Sequence, residues 1–100
     1  MKNLRVLLID DSKEEVKAIS AMLEKAGYEV LVAYDGNEGI NRAREEMPDL
    51  ILMDIVMPEL NGFQATRQLR GDSLTQDIPV IVLSAKNEEI DRIWALRQGA

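Results

Sequence analysis

Four short apolar runs, at residues 4–9, 28–33, 50–53 and 80–83, are separated by longer stretches in which apolar side chains recur at helical spacing. Runs of this length suit strands, and strands alternating with helices bury their apolar faces as a parallel sheet covered by helices. The first run, Leu-Arg-Val-Leu-Leu-Ile, is apolar enough to be buried on both faces, as central parallel strands are. The pattern predicts a doubly wound α/β domain. With 100 residues, 46% of them hydrophobic, the chain has the size and balance of one such unit, and no repeat or linker divides residues 1–100.

The punctuation between the runs agrees. Ser12 opens a helix and Glu15, three residues on, completes a capping box; Gly27 stands where a left-handed C-terminal cap is wanted. Val16, Ile19, Met22 and Leu23 form the expected buried stripe of that helix. Asp35 and Glu38 repeat the capping pattern for a second helix, which runs to about Met47 and is closed by Pro48. A loop holding Pro58 leads to a third helix near residues 61–70, and residues 71–79 form a further loop. After the fourth strand, Asn87 caps a last helix with Glu88 and Glu89 in its first turn, Ile90, Ile93 and Trp94 facing inward and Gly99 at its end.

Composition narrows the chemistry. There is no cysteine and no histidine, so disulfides, thiolate sites, cysteine nucleophiles and imidazole bases are excluded. A net charge of −6 opposes binding to nucleic acid or an acidic membrane surface. The apolar run at residues 4–9 is interrupted by Arg5 and stopped by Asp10 and Asp11, too short for a signal peptide or a membrane span, and a cytoplasmic location is the expectation.

Strands of a parallel sheet share a direction, so residues at their carboxyl ends meet at one rim, where ligands bind. Asp10, Asp11, Asp54 and Ser84 all fall there. If the strand order is 2-1-3-4, an arrangement taken from known doubly wound sheets, right-handed crossovers bring Asp10 and Asp11 beside Asp54. Three carboxylates at one rim either take up protons or bind a cation. An all-oxygen site with room for water and phosphate oxygens favours Mg²⁺ over a protein-caged Ca²⁺. Bound there, the ion would neutralise and orient an incoming phosphoryl group, and the carboxylate of Asp54 could accept it as an acyl phosphate. Any one of these acids alone would read as a cap or a solvated loop residue. Glu14, Glu15, Glu45 and Glu46 read as solvated helix positions, Lys86 as a surface charge, and Trp94 and the methionines as core.

The segments Leu-Leu-Ile-Asp-Asp-Ser (7–12), Leu-Ile-Leu-Met-Asp-Ile-Val-Met-Pro (50–58), Asn-Gly-Phe (61–63), Pro-Val-Ile-Val-Leu-Ser-Ala (79–85) and Gln-Gly-Ala (98–100) resemble the response-regulator receivers of two-component signalling. The resemblance spans the chain. It implies a flavodoxin-like (CheY-like) sheet of order 2-1-3-4, with Asp54 as phosphoacceptor and Ser84 as the switch hydroxyl. It places Mg²⁺ on Asp11 directly, on Asp10 largely through water, on Asp54 and on the backbone carbonyl of Val56. The phosphoryl group would come from a sensor histidine kinase or phosphotransfer domain, and the message would pass to a downstream protein by contact. The domain would catalyse only its own phosphorylation and dephosphorylation, and so is not expected to be an enzyme in the ordinary sense. Residues 53–69 and the ending Arg-Gln-Gly-Ala look most like stand-alone regulators of chemotaxis-like systems that control type IV pili and twitching.

Receivers normally continue into a fifth strand with a Lys-Pro pair and a fifth helix, whereas this sequence ends at Ala100. The missing segment would leave the fourth strand as an edge with an uncovered apolar flank, open to a partner or a second copy. Three accounts of the ending stay open: a fragment of a longer protein, an edge covered by a partner, or a shortened domain that binds metal without switching. The alternative function is thus a non-switching, receiver-like scaffold. A flavin- or nucleotide-binding domain is disfavoured, since Asp10 and Asp11 follow the first strand where a phosphate loop would be needed.

Overall fold

The computed structural model describes residues 4–55 and 60–83. The helix expected after Asn87 lies outside them. In order, the chain forms β1 (Arg5–Ile9), α1 (Lys13–Lys25), β2 (Glu29–Ala33), α2 (Gly36–Glu46), β3 (Leu50–Asp54), α3 (Gly62–Arg70) and β4 (Val80–Leu83). The four strands form one parallel sheet of order β2-β1-β3-β4, the order carried over from the resemblance.

Alternation along each strand divides the side chains between two faces. Leu7, Ile9, Ile51, Met53, Val80 and Val82 are fully buried and meet Ala43 of α2 and Ala65 and Leu69 of α3. On the other face Val6, Leu8 and Val16 of α1 are buried, while Leu50, Leu52, Ile81 and Leu83 are only partly covered. Among the described residues β4 pairs with β3 alone.

The helices begin and end where their signals place them, but the capping boxes expected for α1 and α2 form only their forward half, because the Ser12 N–H goes to Asp10 and Glu38 accepts from Tyr34 instead of Asp35. Ser12 accepts the Glu15 N–H at the start of α1. At its end Gly27, with φ of +99°, donates to the Glu24 carbonyl, and Tyr28 donates to the Leu23 carbonyl, a Schellman closure that needs a left-handed residue at position 27. Pro48 disfavours a right-handed helical Met47, which instead takes φ of 48° and ends α2.

Met22 departs from the expected stripe and is 69% exposed. At roughly 100° per residue it lies about 120° around the helix from Val16, off the face that meets the sheet. Glu46 also departs from a purely solvated reading. Arg5, which interrupts the first apolar run, donates to the Glu46 carbonyl at 2.6 Å and to its carboxylate at 2.7 Å. Its Nε also lies 3.4 Å from Glu29, and its backbone N–H donates to Asp49. One guanidinium thus closes the end of α2 and joins it to β1 and β2 at the edge of the sheet away from the acidic rim. Arg5→Ala should lower the unfolding free energy by about 1–2 kcal/mol in urea titrations, chiefly through the orphaned helix-end carbonyl.

Candidate functional site

β1 and β3 are neighbours, and the pairing of Ile9 with Met53 sets the next residue of each, Asp10 and Asp54, at adjacent strand ends. Asp10 still belongs to the sheet through its backbone, donating to the Ala33 carbonyl of β2 at 3.0 Å. Its side chain is buried, 2% exposed, and accepts the Ser12 N–H at 2.9 Å. Asp54 is half-buried and pairs in register with Leu83.

One carboxylate oxygen from each of Asp10, Asp54 and Glu15 lies within 4.8 Å of the other two. The structure therefore brings Asp10 and Asp54 together as expected and adds Glu15. Asp11 is exposed and lies outside this trio. Val56 and Ser84 lie outside the described residues. Glu15 is readable from sequence only as a capping or solvated residue, because Asp10 and Glu15 compete for the same donor, the Ser12 N–H. The sequence signal that could have revealed it is the Asp-x-Ser-x-x-Glu spacing from Asp10 to Glu15, which offers two acceptors for one N–H.

The trio is crowded with negative charge. Burial, followed by the hydrogen bond with the Glu15 side chain, raises the Asp10 carboxyl from 3.8 to about 6, against the lowering effect of the Ser12 N–H. With oxygen as the only donor type, the trio suits a hard divalent ion such as Mg²⁺, whose charge would relieve the repulsion.

The far wall is built by the start of α3. Ile55 donates its N–H to the Leu83 carbonyl at 3.1 Å and accepts the Gly62 N–H at 2.9 Å. Asn61 and Gln64 close a reciprocal capping box over the same turn. A Cβ on Gly62 would stand 2.6 Å from the Asp54 carbonyl oxygen and 3.0 Å from Ile55 Cα, both backbone atoms that cannot swing aside.

Comparison with known proteins settles the family. Residues 6–100 match the response regulator receiver domain. This chain belongs to that family. It is 55% identical over 96 residues to Protein PilH of Pseudomonas aeruginosa, covering 96% of this chain and 79% of PilH. Among solved receivers, the Vibrio cholerae chemotaxis protein CheY4 superposes with a TM-score of 0.86 at 30% identity, over 99% of this chain and 82% of that one. The receiver domain of a Pseudomonas aeruginosa sensor histidine kinase, determined with magnesium coordinated in its active site cleft, gives a TM-score of 0.83 at 33% identity, over 97% of this chain and 80% of that one. The CheY-like fold and the two-component signalling role inferred from residues 7–12, 50–58 and 79–85 are those of the matched family.

Two consequences are measurable. The folded receiver holds a proton on Asp10 that the unfolded chain has already lost between pH ~4 and ~6, so in chelator-treated buffer stability falls as pH rises through that window, by up to about 3 kcal/mol. Asp10→Asn, uncharged throughout, should flatten that slope in urea midpoints collected across the range. Gly62→Ala should cost about 1–3 kcal/mol by overpacking against the β3 backbone, read from the same titrations at neutral pH.

Proposed function

We propose that Asp54 accepts the phosphoryl group of a histidine kinase or phosphotransfer partner, and that the acidic rim holds the Mg²⁺ this transfer requires. The observation that carries the reading is the placement of Asp54 and Asp10 at adjacent carboxyl ends of β3 and β1, with carboxylate oxygens in reach of one another. A carboxylate oxygen of Asp54 attacks the phosphorus of the donor phosphohistidine; the new P–O bond forms as the P–N bond breaks, and the imidazole departs with a proton. Asp10, Asp11 and Asp54, with the Val56 carbonyl, are the proposed ligands, and bound Mg²⁺ supplies charge neutralisation at the phosphoryl oxygens. Asp10, anchored by the Ala33 carbonyl and the Ser12 N–H, keeps its carboxylate aimed while the donor docks. Ser84 is the proposed hydroxyl that then bonds a phosphoryl oxygen, shifting an inactive–active equilibrium that a downstream protein reads. The identity with PilH supports service in a pilus-type, chemotaxis-like system.

Incubation with acetyl phosphate and Mg²⁺ should add a single phosphoryl group, seen by intact mass, and Asp54→Asn should abolish it. Labelling of the Asp54→Asn variant equal to that of the parent chain would sink the assignment. Val56, two residues after Asp54, has no group to orient an attacking water, so the phosphoform should lose its phosphate over minutes or longer. Val56→Asn should shorten that lifetime several-fold in a chase experiment with the donor removed.

A further inference from the structure

Gly36 is the first residue of α2, and it is buried. The helix start is fixed on the sheet: Asp35 accepts the Glu38 N–H at 2.7 Å, Glu38 accepts the Tyr34 N–H, and the Ala33 carbonyl just before them accepts the Asp10 N–H. Nothing in the backbone of residue 36 calls for glycine. It is helical, Gly27 alone among the described glycines has positive φ, and alanine is the stronger helix former. What excludes a side chain is Leu60. A Cβ at residue 36 would stand 2.9 Å from the Leu60 carbonyl oxygen and 3.1 Å from Leu60 Cβ and Cδ2, where ordinary contact is ~3.5–4.0 Å.

Leu60 in turn leads into the start of α3. Asn61 is the N-cap, tied to Gln64 by the reciprocal capping box, and Gly62 donates to the Ile55 carbonyl at 2.9 Å while lying against the Asp54 carbonyl oxygen. We propose that Gly36 is a positioning residue for the acceptor: by letting α2 abut Leu60, it sets where the start of α3 meets the backbone of Asp54, and so where the Asp54 carboxylate lies. The proposal rests on the reading of Asp54 as phosphoacceptor. A methyl group at residue 36 would displace Leu60 by a few tenths of an ångström, and Asn61 and Gly62 follow directly in the chain. Misplacing a reacting group by ~1 Å can cost about 10²-fold in rate, so a shift of about half that size costs about tenfold.

The test compares the whole parent chain with Gly36→Ala, Leu60→Ala and Arg5→Ala by urea midpoint, by the ¹⁵N–¹H spectrum of the metal-free chain, and by labelling with acetyl phosphate and Mg²⁺ across donor concentrations. Gly36→Ala should move the Ile55 and Gly62 amide resonances and lower the maximal labelling rate about tenfold, with the half-saturating donor concentration unchanged. Leu60→Ala withdraws Cδ2 and alters the same contact from the other side. It should move the same two resonances and slow labelling about threefold, and it carries the test should Gly36→Ala fail to fold. Arg5→Ala, at the opposite end of the sheet, is the control for lost stability alone and should label at the parent's rate despite a lower urea midpoint. A folded Gly36→Ala or Leu60→Ala that labels like the parent, unmoved Ile55 and Gly62 resonances, a changed half-saturating concentration with the maximal rate kept, or equal slowing in Arg5→Ala would overturn the proposal. If the parent takes no label, the acceptor reading itself falls and the proposal with it.

Discussion

The pairing of β1 with β3 is the constraint on which the rest depends. Side chains on both strands are buried, and a slip of one residue would send Leu7, Ile9, Ile51 and Met53 to the wrong face, so the register is held by the whole core. That register has an unavoidable electrostatic result. It presses Asp10 against a second strand end that also carries an acid, in surroundings where burial already disfavours charge. Burial, and after it the hydrogen bond with the Glu15 side chain, raises the Asp10 carboxyl to about 6.

Much of this is legible in the sequence because the relevant signals are local. Short apolar runs locate all four strands to within a residue or so, and Ser12, Asp35 and Asn61 mark helix starts through a hydroxyl, carboxylate or amide that bonds an N–H three residues on. The departures have equally definite causes. Met22 reads as core from its chemistry, although its angular position takes it off the sheet face. Glu15 reads as a cap because the sequence cannot say which of two acceptors wins a single N–H; that contest is decided by the β1 register, which fixes where Asp10 points. Arg5 and Glu46 meet only because the chain returns to the same edge of the sheet, a contact across 41 residues that no local pattern announces.

The two ends of the sheet are chemically opposite. At the amino ends of β1 and β2 and the end of α2, one arginine collects the acids Glu29, Glu46 and Asp49 and serves stability. At the carboxyl ends, acids converge on one another, with a carboxylate oxygen from each of Asp10, Glu15 and Asp54 within 4.8 Å of the other two. In this chain the charges that join elements to one another are thus set apart from the charges gathered at the rim.

The double tether of Ile55 bears on how a signal would leave the pocket. Its N–H is fixed to β4 and its carbonyl to the first residue of α3, so the peptide units flanking this residue form a fulcrum between two elements on different sides of the acceptor. A Cβ at residue 62 would stand 2.6 Å from the Asp54 carbonyl oxygen, so it is the bare glycine that lets the start of α3 come this close to the acceptor's backbone. The residue that follows the proposed acceptor is thus shared between two elements, and any change in the path of its backbone would bear on the end of β4 and on the start of α3 alike.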